Sequence, residues 1–386
     1  MERVKLADRA GLIEESVTIA LNAKAKSLKT AGRKIYNFTA GELDAETPGY
    51  IQKYVAERLK YNKYTPTAGL PELRDLIAKH NRDYYGLDWI LSKNVVVTSG
   101  AKPAIYAALL SLINPGDEVI VPTPAWVSYI DLIKLAGGVP VTVSLDEDFD
   151  LSVESINAVL SDKTKLIIIT SPHNPTGTIF SSQKLSKLAE LLKDKNIFVL
   201  SDDIYNKLVF DDSYTATPKT GFNMIVIING FSKSQALTGW RIGYMIAPQT
   251  IADAATAFLS HINGNAPLMA QFAGIAALLQ DDKPPEENTE HLKTNLKIAK
   301  TELSKISKLK INNPKGAFYI YLDLRLVTQD SLKWCEELLA EYGVALVPGE
   351  AFLTPGFARL TYSGNTETLK KGIKLIEKKI KEDEDA

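Results

Sequence analysis

The sequence predicts an α/β protein, with a large domain on a mostly parallel sheet flanked by helices and a smaller α+β domain beside it. Three observations carry this. Short apolar runs, VVVT (95–98), EVIVP (118–122), VPVTV (139–143), KLIIIT (165–170), IFVLS (197–201) and MIVII (224–228), alternate with helical stretches. Runs this apolar suit strands covered on both faces, as parallel strands between helices are. Beyond Pro284 and Pro285 the composition shifts to a lysine-rich helical stretch, followed by GAFYIYLDL and VALVPGEAF. Finally, 386 residues suffice for two cores. The expected division is 45–283 for the large domain, and 1–44 with 284–386 for the small one.

Composition narrows the function. Apolar residues make up 45%, charged residues 24%, and the net charge is −1, which argues against nucleic acid or an anionic membrane as partner. The longest apolar runs, such as LIII (166–169), are too short to span a bilayer, and the opening MERVKLADRAG lacks the apolar core of a signal peptide. The expectation is a cytoplasmic protein. The one cysteine, Cys335, falls in a helical pattern and reads as a buried structural thiol. His80, His173, His261 and His291 are scattered without metal-ligand spacing, so no metal site is expected.

Taken in order, residues 16–31 read as a helix with Ser16 or Thr18 as N-cap and Gly32 beyond its end. Were that start extended instead, Ser16 and Thr18 would face the same way. FTAGELDAETP (38–48) has the chemistry of a loop, with Gly41 early and Pro48 late. Residues 50–85 are helical around a break at YNKYTPTAGLP, with Pro71 suited to the first turn of the second helix. The strand at 95–98 runs through Ser99 and Gly100 into a helix at 102–113. A glycine turn into a helix N-terminus leaves amides free for an anion, here those of Gly100, Ala101 and Lys102. Pro103 has no N–H to add.

The later strands carry side chains with chemistry at their ends. Trp126 follows EVIVP and by itself reads equally well as core. Asn174, in SPHNPTG, sits at a carboxyl strand end, where open α/β sheets bind ligands. Asp202 ends another strand, where alone it reads as a turn cap. After MIVII the chain breaks at Asn229 and Gly230 and sets a lone lysine, Lys233, among small and apolar residues, with Arg241 close behind. A lysine amine attacks carbonyls only when unprotonated, which requires desolvation or neighbouring positive charge.

SKSQALTGWRIGY (232–244) resembles the lysine region of the class I aminotransferases, pyridoxal-phosphate (PLP) enzymes of fold type I. The bacterial-type aspartate aminotransferase branch is closest in appearance. The resemblance implies that Lys233 carries the cofactor as a Schiff base and later moves the substrate proton. Ser232 and Arg241 would bind the cofactor phosphate, as would TSGAKPA through Gly100, Ala101 and Lys102. Tyr64 would reach the phosphate of a partner subunit, which implies a homodimer. Trp126 would stack on the pyridine ring, Asn174 and Tyr205 would bond its phenolic oxygen, and Asp202 would keep its nitrogen protonated.

The same resemblance gives the substrate α-carboxylate to Arg359, in FARLTYS, with the Gly41 amide and Asn174 beside it. Lys102, Ser16 and Thr18 would hold a distal carboxylate. Three positions depart from the family pattern: Leu43 replaces a proline, Pro103 replaces a residue with an amide, and His173, given no catalytic role, stands where asparagine is more usual. The implied reaction is aspartate with 2-oxoglutarate to oxaloacetate and glutamate, by a ping-pong route. Aromatic, alanine-type and prephenate aminotransferases are the alternatives, with a PLP lyase or a PLP-fold ligand-binding regulator further off. A regulator would need a DNA-binding module that the sequence does not show.

Overall fold

The computed structural model describes residues 6–13, 17–280 and 283–385. After a short strand, β1 (Tyr36–Asn37), the apolar runs fold as strands within a residue or two of the expected bounds. They are β2 (Val95–Thr98), β3 (Glu118–Thr123), β4 (Val139–Ser144), β5 (Thr164–Thr170), β6 (Phe198–Asp202) and β7 (Ile225–Gly230), followed by β8 (Gly243–Ile246). These seven form one sheet in the order β2-β8-β7-β6-β5-β3-β4. Only β8 runs against its neighbours, so the carboxyl ends of β2, β3, β5, β6 and β7 share one edge. Every residue of β2, β7 and β8 is buried. This explains why these runs are apolar throughout rather than alternating.

A second, antiparallel sheet comes from the C-terminal part. It contains β9 (Lys310–Ile311) and β10 (Tyr319–Asp323) and, beyond β11 (Val344–Ala345), β12 (Val347–Pro348) and β13 (Phe357–Thr361), ordered β12-β13-β10-β9. Within it Arg359 lies opposite both Tyr321 and Val347. The N-terminal segment is tied to this part by β1, which pairs parallel with β11. It carries Phe38 into the same apolar cluster as Leu338, Leu360 and Ile373.

The helices start close to their sequence signals. Val17–Thr30 is helical and Gly32 follows at φ 86°. Ser16 lies outside the described residues, and Thr18 sits in the first helical turn. The alanine, leucine and lysine content of this segment favours helix from its start, so the extended spacing of Ser16 and Thr18 does not arise from Val17 onward. The helical stretch at 50–85 divides into Gly49–Ala56 and Pro71–Tyr85, with Pro71 in the first turn. Cys335 is a buried free thiol. No helix among the described residues is long and apolar enough to cross a membrane.

One close approach positions the end of β2. A Cβ on Gly243 would stand 2.6 Å from the carbonyl carbon of Gly100 and 2.7 Å from the nitrogen of Ala101. The bare backbone of β8 therefore lets the β2 turn lie directly on it. Gly243→Ala should lower the unfolding free energy by about 1–3 kcal/mol, as overpacking does, read from the urea midpoint. It should also weaken anion binding at the adjacent turn.

Candidate active site

The shared strand edge collects the chemistry. At the end of β2, Gly100 adopts φ 91° and the helix Ala101–Leu112 begins immediately after it. Its first amides have no partner within the helix and point along the positive end of its dipole. The Arg241 guanidinium lies against this turn, so that a Cβ on Gly100 would stand 2.5 Å from Nη2. Arg241 is held there by a bond from Nη1 to the Thr238 carbonyl (3.1 Å), and its own backbone is left-handed at φ 58°. A long side chain in that region is strained, a recurrent mark of functional sites. Lys102 reaches the Ser128 hydroxyl (3.2 Å), and its ammonium sits 4.8 Å from the Trp126 ring centroid. Partial burial, then Arg241, holds its pKa below the ordinary lysine value. Amides, Arg241 and Lys102 together form a cradle for a polyanion.

At the end of β6, Asp202 is only 3% exposed. The Tyr129 hydroxyl donates to its Oδ2 at 2.6 Å and also contacts the Thr170 hydroxyl at 2.8 Å. The Ile204 amide reaches Oδ1 at 3.3 Å. Burial pushes the Asp202 pKa up, and the bonds from Tyr129 and Ile204, with the charge of Lys233, pull it back. Such a carboxylate is stabilised by a cation placed against it. The bond from Ile204 means that the turn-capping role and a ligand role coexist in one side chain.

Lys233 follows β7 by three residues and donates to the Gly41 carbonyl, joining the loop at 38–48 to the end of the sheet. Burial brings its pKa down to about 8, the charges of Arg359 and Arg241 pushing the same way against Glu42 and Asp202. Near neutral pH an appreciable fraction is the unprotonated nucleophile. Arg359 is buried, donating from Nη1 to Asn174 Oδ1 and from Nη2 to the Thr39 carbonyl, both at 2.9 Å. Its guanidinium faces the Tyr319 ring at 4.4 Å, while its Nε is buried without a partner. Tyr205 and Tyr319 share a hydroxyl contact of 2.8 Å, and a Cβ on Gly41 would stand 3.2 Å from the Tyr319 oxygen.

These contacts join Gly41, Asn174, Tyr205, Lys233 and Arg359 into one chain of neighbours, with Asp202 and Arg241 acting on Lys233 through their charge. Gly100, Ala101, Lys102 and Trp126 form the adjoining wall, and Ser232 is buried next to Lys233. Tyr64 is not part of this assembly and stands 98% exposed. Ser16 is outside the described residues. A cavity of about 1010 Å³ lies elsewhere, between the turn at 144–150 and the strands β9 and β10.

Sequence reasoning passed over Tyr129, Thr170, Thr39 and Tyr319. Tyr129 had a readable signal. It stands three residues after Trp126, at the start of the helix Ser128–Leu135, and its amide donates to the Trp126 carbonyl at 3.0 Å, so one turn presents both the ring and the hydroxyl. Thr39 contributes only a backbone carbonyl, for which no side-chain pattern exists.

The sequence pattern of the family Aminotransferase class I and II matches residues 33–376. An aspartate aminotransferase of Streptomyces avermitilis is 39% identical, over 99% of this chain and 98% of that protein. The crystal structure of aspartate aminotransferase from Thermotoga maritima superposes with a TM-score of 0.92 at 39% identity, covering 97% of this chain and 100% of that one. Aspartate aminotransferase from Thermus thermophilus with maleate gives 0.93 at 32% identity, covering 97% and 99%. The chain belongs to the class I and II aminotransferase family.

Behind Asp202, the next residue along the strand points the other way. Asp203 accepts from Ser201 and, at 2.7 Å, from Tyr85, and burial raises its pKa from 3.8 to about 7, Asp202 adding to the rise. Tyr84 and Tyr214 also face it. A carboxyl with a raised folded-state pKa lends stability that is complete below pH 3.8 and is lost as pH rises towards 7. Asp203→Asn removes that loss. Its unfolding free energy relative to the parent should therefore climb between about pH 4 and pH 7 and level off above, as read from urea unfolding across that range.

Proposed function

We propose that this aminotransferase exchanges amino groups between aspartate and 2-oxoglutarate, using pyridoxal phosphate bound through Lys233. The residues present fit that cofactor. The Gly100 cradle with Arg241 suits a phosphate, and the buried Asp202 suits a protonated ring nitrogen. Ser232 would add a hydroxyl to the phosphate, Trp126 would cover the ring, and Tyr205 with Asn174 would hold the ring oxygen. Bound there, the cofactor supplies an electrophilic carbon for the amino group and an electron sink for the pair left at the substrate α-carbon.

The chain's own groups do the remaining work. Asp202, screened from water, keeps a proton on the ring nitrogen. Arg359 grips the substrate α-carboxylate with its guanidinium fork. Asn174 and the Gly41 amide help to orient it. Lys233, with its lowered pKa, accepts the α-proton as general base and returns it as general acid. We infer a large domain of 45–283 and a small one of 1–44 with 284–386. We also infer a cytoplasmic homodimer in which Tyr64, free of contacts on its own side, reaches the cofactor phosphate of the second copy.

The observation that supports an acidic substrate is a further cation in the cleft, Lys102 set against Trp126. A substrate held at its α-carboxylate by Arg359 and covered by Trp126 would present a distal carboxylate to that ammonium, with Ser16 and Thr18 as hydroxyl donors. The cofactor-loaded protein, titrated separately with aspartate, glutamate, phenylalanine and alanine while its visible absorbance is followed, should respond to the two acidic amino acids at concentrations at least about tenfold lower. Preference for phenylalanine or alanine would remove the acidic assignment. Lys102→Ala should raise KM for aspartate about tenfold or more with little change for phenylalanine, the pattern of a lost binding contact. Lys233→Ala should lower kcat by at least about 10²-fold, the scale of a lost general base, and leave the protein folded.

A further inference from the structure

His173 is the departure from the family pattern that the proposed chemistry leaves unused, and its surroundings give it a task. The ladder between β3 and β5 pairs Glu118 with Thr164, Val119 with Leu166 and Ile120 with Ile167, and ends there. Beyond that point β3 pairs only with β4, and β5 only with β6. The sheet therefore parts between the strand leading to Trp126 and the strand leading to Asn174. His173 fills the parting. It is 3% exposed, packs its ring 5.4 Å from that of Phe180, and borders a cavity of about 10 Å³ shared with Val121, Ala125 and Thr170.

Two contacts hold the ring. His173 Nδ1 meets the Thr176 hydroxyl at 2.8 Å, and that oxygen also accepts from the Thr178 amide. The ring's other polar contact is the Pro124 backbone. Burial drives the pKa down to about 3, so the imidazole stays neutral throughout the working range. Pro124 leads into Ala125 and Trp126, and Ala125 is itself tied to the Phe352 carbonyl at 3.1 Å. On the other side the His173 backbone pairs with Thr178 and Gly177, fixing the turn that presents Asn174 to Arg359.

We propose that His173 is a positioning residue: a neutral imidazole brace across the parted strands that sets the ring-covering Trp126 and the ligand-holding Asn174 at one spacing. This rests on the pyridoxal phosphate reading of the site. Because the brace touches neither cofactor nor substrate, its removal acts on how well both are held rather than on proton transfer.

The test compares the parent protein with His173→Phe, which keeps an aromatic ring without its hydrogen bonds, Thr176→Val, which removes the hydroxyl at Nδ1, and His173→Asn. Each is stripped of cofactor, titrated with pyridoxal phosphate by tryptophan fluorescence, melted without cofactor, and assayed after loading. His173→Phe and Thr176→Val should each weaken cofactor binding about tenfold and raise KM for the amino donor similarly. Their kcat should stay within about threefold of the parent, and their cofactor-free melting temperatures close to it. His173→Asn, able to meet Thr176 but too short to reach Pro124, should fall between. Lower melting temperatures with unchanged cofactor affinity and KM would make His173 a core residue only and overturn the proposal. So would a collapse of kcat at unchanged KM. Failure of the parent itself to bind pyridoxal phosphate would instead overturn the reading of the site.

Discussion

A carboxylate held at the end of an apolar sheet, Asp202, is the constraint around which this structure is arranged. Taking a carboxylate out of water costs several kcal/mol unless hydrogen bonds and opposite charge offset it. The fold supplies part of that offset through Tyr129, the Ile204 amide and the charge of Lys233. Among the described residues no guanidinium or ammonium stands in direct contact with the carboxylate. A cationic ring nitrogen placed against Asp202, as in the proposed function, would add the remaining stabilisation. The neighbouring Asp203 makes the contrast. It is equally buried but enclosed by Ser201 and tyrosines, and burial, with the charge of Asp202 adding to it, raises its pKa to about 7.

Convergence of distant segments follows from sheet geometry. Five strand ends share one edge, so the turns after β2, β3, β5, β6 and β7 need no special folding to meet. What has to be added is the other wall of the cleft, and Arg359 adds it. Its guanidinium spans Thr39 and Asn174, joining the N-terminal loop, the turn after β5 and strand β13, which belongs to the other sheet. The Lys233 bond to Gly41 joins the same loop to the end of β7. Two cationic side chains thus hold together chain segments separated by 320 and 192 residues. Both do so through the loop at 38–48, which has turn chemistry and few apolar side chains.

The sheet was legible because its strands are buried on both faces and so are written as continuous apolar runs; VVVT matched β2 residue for residue. The site residues were legible where a side chain type had no other work at that place, as with Lys233 in its small-residue surroundings. Arg359 was not legible by itself, because an arginine in a short strand looks the same whether it faces water or a cleft. The Thr39 carbonyl, the left-handed backbone of Arg241 and the parting of β3 from β5 carry no sequence signal at all. They depend on where neighbouring strands stop pairing.

Charge balance across the cleft limits what can bind. Lys233, Arg359, Arg241 and Lys102 bring four cationic groups, and Asp202 and Glu42 are the carboxylates that act on Lys233. Mutual repulsion among the cations shows in the lowered pKa values of Lys233 and Lys102, where burial and neighbouring arginines act together. A ligand that relieves this repulsion is strongly anionic, with charge at the helix amides, at Arg359 and at the Lys102 ammonium beside Trp126. A phosphorylated cofactor satisfies the first point only, and a monocarboxylic amino acid adds the second. A dicarboxylic substrate is the smallest addition that satisfies all three. Electrostatics alone therefore favours aspartate or glutamate over an uncharged side chain, before shape is considered.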